Sequence, residues 1–87
     1  MWPSRKSVMF KILETINTLS EECFEGRVPV TEIYLQIKDS SRESIRVMLS
    51  QLKGNGFLET PMRGMYVLSK KGKKRLAQGD EENSSGG

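Results

Sequence analysis

Residues 40–58, SSRESIRVMLSQLKGNGFL, constrain what this chain can fold into more than any other stretch. Ser40 followed three positions later by Glu43 has the spacing of a capping box, in which the serine oxygen accepts a first-turn amide and the glutamate reaches back to the serine amide. That spacing predicts a helix beginning at Ser41. Ile45, Met48, Leu49 and Leu52 then recur at three- and four-residue intervals, which is the apolar stripe of a helix seated on a core. The run KGNG (53–56) ends the helix with residues that tolerate a left-handed backbone, and FLET begins an apolar strand. With the stripe turned inward, the opposite side offers Ser41, Arg42, Ser44, Arg46, Val47 and Ser50 to water. Folding alone does not require two arginines and several hydroxyls there.

The rest of the composition narrows the class. A chain of 87 residues is one domain, and at that size only about 60–65% of the unfolded surface is buried on folding. Hydrophobic content of 36% with 29% charged residues is that of a soluble globular chain, neither disordered nor disulfide-built. A single cysteine, Cys23, cannot form an internal bridge, and no signal peptide or long apolar run is visible; the expected setting is reducing and cytoplasmic. Cys23 itself is expected to be an inert thiol in the core.

Charge is unevenly placed. The last nine residues, GDEENSSGG (79–87), hold three carboxylates and nothing apolar, so they read as a disordered acidic tail. Without them fourteen Lys and Arg face eight Asp and Glu, and 14 − 8 = +6 over residues 1–78. KKGKKR (70–75) alone concentrates five positive charges. A basic domain of this kind favours polyanions, nucleic acid first among them.

Read along the chain, SVMFKILETINTLSEECF is an amphipathic helix with Met9, Ile12, Ile16 and Leu19 as its stripe, Val8 and Leu13 beside it, and Ser4 or Ser7 as its cap. Gly26 is its expected stop. RVPV is a short extended piece suited to a sheet edge, because Pro29 has no N–H to donate. Thr31 is expected to cap a two-turn helix, EIYLQIK, with Ile33, Ile37 and either Tyr34 or Leu35 inward. After the 41–53 helix, FLET and MYVLS are strands joined at PMRG, where Pro61 presets a turn and Gly64 permits positive φ. Ser69 can cap a last helix, KKGKKRLAQ, anchored inward by Leu76; Gly72 and the like charges weaken it unless it packs on the domain. The domain therefore spans 7–78, between an N-terminal arm (1–6) and the tail.

This α+β order, α1-β1-α2-α3-β2-wing-β3-α4, together with LSQLKGNGFLE and YVLSKKGKKRL, resembles the winged helix-turn-helix DNA-binding domains, the second stretch being similar to the hairpin exit of MarR-type regulators. The resemblance covers roughly residues 8–77. It implies that the third helix (about 41–53) enters a DNA major groove, that the hairpin 57–69 is a wing, and that the protein is a homodimeric regulator of transcription on a near-palindromic duplex, with half-sites about 10 bp apart. The four-residue tip is shorter than many wings, which limits wing contacts to Arg63, and the long terminal helix of MarR-type dimers is missing.

The residues agree with that implication on their own chemistry. Arg42 and Arg46 can each bind guanine bidentately, Val47 can touch a thymine methyl, and Ser40, Ser41, Ser44, Ser50 and Thr31 can donate to phosphates or base edges. Arg63 at the wing tip can enter a minor groove, and Lys70 and Lys71 add phosphate contacts. Glu43 is assigned to the capping box rather than to a cytosine. Two other readings stand beside this one: a winged-helix protein-interaction module, and a non-specific nucleic-acid binder working through its basic hairpin and last helix. Catalysis is not expected, since the chain has no histidine, one cysteine, no phosphate-binding glycine loop and no paired carboxylates. No metal, cofactor or small-molecule ligand is implied.

Overall fold

A computed structural model describes residues 3, 4 and 6–78; the acidic tail lies outside the described residues. The chain is α+β, with four helices and a three-stranded antiparallel sheet among the described residues. In order these are α1 (Val8–Ser20), a tight turn (Phe24–Gly26), β1 (Val28–Pro29), α2 (Val30–Gln36), α3 (Arg42–Gly54), β2 (Leu58–Glu59), β3 (Met65–Leu68) and α4 (Lys70–Gln78).

Ser7 caps α1 by accepting the Phe10 amide at 3.2 Å. The buried side of α1 is Phe10, Ile12, Leu13 and Ile16, while Met9 and Leu19 are half-buried. The helix is thus rotated from the expected stripe: α2, α3, α4 and the sheet surround it on a broad arc, and Phe10 is drawn in to meet Arg75. It also ends at Ser20, six residues before Gly26, because the chain turns sharply to enter the sheet.

The sheet has the order β1-β3-β2, with Val28 opposite Tyr66, Pro29 opposite Met65, Leu58 opposite Leu68 and Glu59 opposite Val67. Pro29 lies in an edge strand, where its missing N–H leaves no ladder bond unmade. Gly64, at φ +78, turns the hairpin, and its carbonyl accepts the Val30 amide at 2.9 Å. This bond starts α2 two residues earlier than expected. Pro29 occupies the cap position without a side-chain bond, and Thr31 falls inside the first turn, exposed, so it does not cap. Inward, α2 contributes Ile33, with Ile37 buried just past its end; Tyr34 is half-buried and Leu35 is 61% exposed.

The expected start of α3 is off by one. Ser41, at φ −71 and ψ 161, is the cap; its Oγ accepts the Ser44 amide at 3.2 Å and donates to Ser44 Oγ at 3.1 Å. Asp39 is held by Lys11 of α1 at 2.9 Å and Ile37 is buried, so the chain bends through 39–40 and Ser41 is the last extended residue. Glu43 then sits in the second helical position and makes no capping bond. Ile45, Leu49 and Leu52 are buried and Met48 packs partly against them.

Gly72 lets α4 pack instead of weakening it. A Cβ there would run into the carbonyl oxygen of Phe57 and come within 3.0 Å of Leu68 Cδ2. Ser69 fastens this junction: its amide donates to the Phe57 carbonyl at 3.1 Å, its hydroxyl donates to the Gly56 carbonyl, and its Oγ accepts the Gly72 amide at 3.1 Å. Leu76 is only half-buried, and Arg75 is a fully buried side chain of α4. Its guanidinium donates to the Pro3 carbonyl through Nε at 3.1 Å and Nη2 at 3.0 Å and lies 4.9 Å from the Phe10 ring centre. Arg75 is therefore withdrawn from the surface basic cluster, and Pro3, itself buried, is part of the domain rather than of a loose arm.

Candidate nucleic-acid interface

Once its apolar side is sunk in the core, α3 presents Arg42, Glu43, Ser44, Arg46, Val47 and Ser50 to water. Val47 is 55% exposed, a β-branched apolar side chain among polar ones. It borders two open depressions, one shared with Glu43, Arg46 and Ser50, the other with Ser40, Glu43, Ser44 and Met48. The face runs from Arg42 to Ser50, about two and a half helical turns, and presents donors, one acceptor carboxylate and one apolar contact.

Two tyrosines, which the apolar and charge patterns did not single out as site residues, flank its arginines. The Arg42 guanidinium lies 5.5 Å from the ring centre of Tyr34, on α2, within cation–π range. On β3, Tyr66 is half-buried, and burial pushes its phenol above the ordinary tyrosine range; the neighbouring Tyr34 adds to this, and the positive charge of Arg46 opposes it. Tyr34, Tyr66, Arg42 and Arg46 thus come together from three elements. The signal available in sequence was weak, because a tyrosine with an apolar body and a polar tip is placed equally well in a core.

Glu43 joins this face as a consequence of the shifted cap. Ser40, just ahead of the cap, is half-buried and lines the second depression. Ser41 remains exposed, but both of its hydrogen-bonding roles are taken up by Ser44. Near the start of α3 the Asp39 carboxylate is paired with Lys11, and Lys38, Arg42, Glu43 and Arg46 are exposed.

Lys71 of α4 does not belong to the same surface. Lys71 donates to the Asn55 carbonyl at 2.8 Å and lies over the Phe57 ring at 4.7 Å, so it closes the C-terminal end of α3. Ser41 is at the other end of α3, about 20 Å away at 1.5 Å per residue. Lys70, exposed beside Lys71, stands at that distal end too. Arg63 is exposed at the hairpin tip, and Thr31 is exposed in the first turn of α2, the helix whose first amide binds the tip.

No family model matches this chain, and no curated protein or solved structure matches it either. Among the described residues no cluster of His, Cys, Asp and Glu could hold a metal ion, and no helix is long and apolar enough to cross a membrane.

Proposed function

We propose that this protein binds double-stranded DNA sequence-specifically and regulates transcription, in the manner of a winged helix-turn-helix domain. In this reading α2, the bend at 37–41 and α3 are the helix-turn-helix, α3 enters the major groove, and the β2–β3 hairpin is the wing. The carrying observation is the water-facing side of α3: Arg42, Arg46, Val47 and Ser50 on a capped 13-residue helix whose other side is core. A major groove admits one such helix; arginine binds guanine O6 and N7 bidentately, and Val47 suits a thymine methyl. Glu43, freed from capping, adds an acceptor for a cytosine amino group. Tyr34 restricts the Arg42 side chain before DNA arrives, which reduces the entropy lost on binding.

Lys70 and Lys71 contribute long-range attraction rather than contacts beside α3. The non-specific alternative is weakened accordingly, since Arg75, one of the five charges in KKGKKR, is buried, and Lys71, though exposed, is tied to the end of α3.

Selection from a random-sequence duplex pool at about 150 mM salt, where purely electrostatic binding is weakened, tests the reading. An enriched motif is the expected result, and a pool that stays unenriched rules out sequence-specific binding. On the enriched duplex, Arg42→Ala and Arg46→Ala are each expected to lose about 1–3 kcal/mol and to relax preference at one base pair. Equal weakening on every sequence would instead reduce both arginines to phosphate contacts.

A further inference from the structure

The two tyrosines beside α3 have their rings and their hydroxyls in different surroundings. Both rings pack against the core and are half-buried, Tyr34 on α2 and Tyr66 on β3. Neither hydroxyl hydrogen-bonds to another described residue, and neither is a buried atom left without a partner, so both oxygens reach the surface. They reach it together and beside positive charge. Arg42 lies 5.5 Å from the Tyr34 ring centre, Arg46 follows one turn further along α3, and the Tyr66 phenol feels both Tyr34 and Arg46. Because burial, with Tyr34 in addition, raises the Tyr66 phenol above its ordinary range, it stays a protonated donor at neutral pH.

We propose that the Tyr34 and Tyr66 hydroxyls form a grip for a backbone phosphate at the edge of the groove that α3 occupies, with Arg42 and Arg46 lending positive charge beside it. The grip rests on the duplex-binding reading above. Position favours a phosphate over a base edge. A helix with its side chains is about 10–12 Å across and the major groove about 12 Å wide, so α3 fills the groove and whatever packs alongside α3 meets the groove walls. Tyr34 and Tyr66 come from the elements packed alongside, and the walls are sugar and phosphate. The chemistry agrees, because tyrosine hydroxyls donate to backbone oxygens and guanidinium groups nearby attract the same anion. Rings already held by the core lose little freedom on binding, which keeps the ordering cost of the contact small.

A direct grip differs from mere support of the arginines in its dependence on salt. Taking a neutral hydroxyl away from a phosphate leaves the number of released counterions as it was, so the slope of log affinity against log salt does not change. An arginine that lets go of a phosphate makes that slope shallower by about one. Phenylalanine keeps the ring, and with it the stacking of Arg42 and the packing on the core, so Tyr34→Phe and Tyr66→Phe remove the donor alone.

Binding of the full chain to a duplex of arbitrary sequence, followed by fluorescence anisotropy from about 50 to about 200 mM salt, tests the proposal, since phosphates are common to every sequence and no operator is needed. Tyr34→Phe and Tyr66→Phe are each expected to weaken binding about three- to tenfold, with the salt slope unchanged and the unfolding transition left in place. Unchanged affinity in either variant overturns the grip and leaves the sequence-specific reading to its own selection experiment. Weaker binding with a shallower salt slope overturns it as well, and makes the tyrosines supports for the arginines. A wild-type chain that binds no duplex even at about 50 mM salt overturns the grip and the DNA-binding reading together.

Discussion

Gly72 illustrates how far a single residue's meaning depends on its neighbours. In an isolated helix Gly is about 1 kcal/mol worse than Ala, so Gly72→Ala should stabilise α4. In the fold the added methyl would meet the Phe57 backbone, which cannot move without disturbing the Ser69 bonds. The expected net effect is a loss of about 1–2 kcal/mol, since overpacking of this kind outweighs propensity. Urea unfolding would register it, with Lys73→Ala, at an exposed position of the same helix, as a near-neutral control. A stabilised Gly72→Ala protein would mean that α4 does not pack against Phe57 as described. At the same scale, Glu43 was assigned to a cap and is a surface residue, because one-residue differences in where a chain bends change which side chain is third in the helix.

Among the elements, α3 was the most legible from sequence. Its inward residues, its end near Gly54 and its outward arginines were all read from spacing, because an apolar stripe of period 3.6 against charged residues leaves one orientation that buries the stripe. The start of α2 differs from the expected one by two residues and that of α3 by one, for different causes. For α2 the cause is a long-range bond from the Val30 amide to the hairpin tip. For α3 it is the Lys11–Asp39 pair and the burial of Ile37. Mutation can verify the α3 boundary: Ser41→Ala is expected to cost about 1 kcal/mol through loss of the cap, and Ser40→Ala less than about 0.5 kcal/mol. Thermal melts giving the opposite ranking would restore the box between Ser40 and Glu43. The candidate interface was legible to the same degree as its helix: Arg42, Arg46, Val47 and Ser50 follow from α3 alone, whereas Tyr34 and Tyr66 reach it from α2 and β3.

For the molecule as a whole, the two ends of the described chain meet through Arg75. A buried guanidinium donating twice to the Pro3 carbonyl, across a separation of 72 residues, links the start of the domain to its last helix. Arg75→Ala removes those bonds, leaves a cavity beside Phe10 and strands the Pro3 carbonyl, with an expected cost of about 3 kcal/mol. Arg75→Lys should recover only part of it, because an ammonium cannot reproduce the two bonds converging on the Pro3 carbonyl and the stacking on Phe10 together. Denaturant unfolding of both variants measures this, and an Arg75→Ala protein as stable as the wild type would mean that α4 and Pro3 are held by other contacts. By itself the sequence determined the α+β element order, the inward stripe of α3 and its basic outward face, since each follows from local periodicity and turn chemistry. The tertiary structure decided which residue caps a helix, that Arg75 leaves the surface charge, and that Phe24 stays in water. Those depend on partners far away in the chain, whose positions no local pattern encodes.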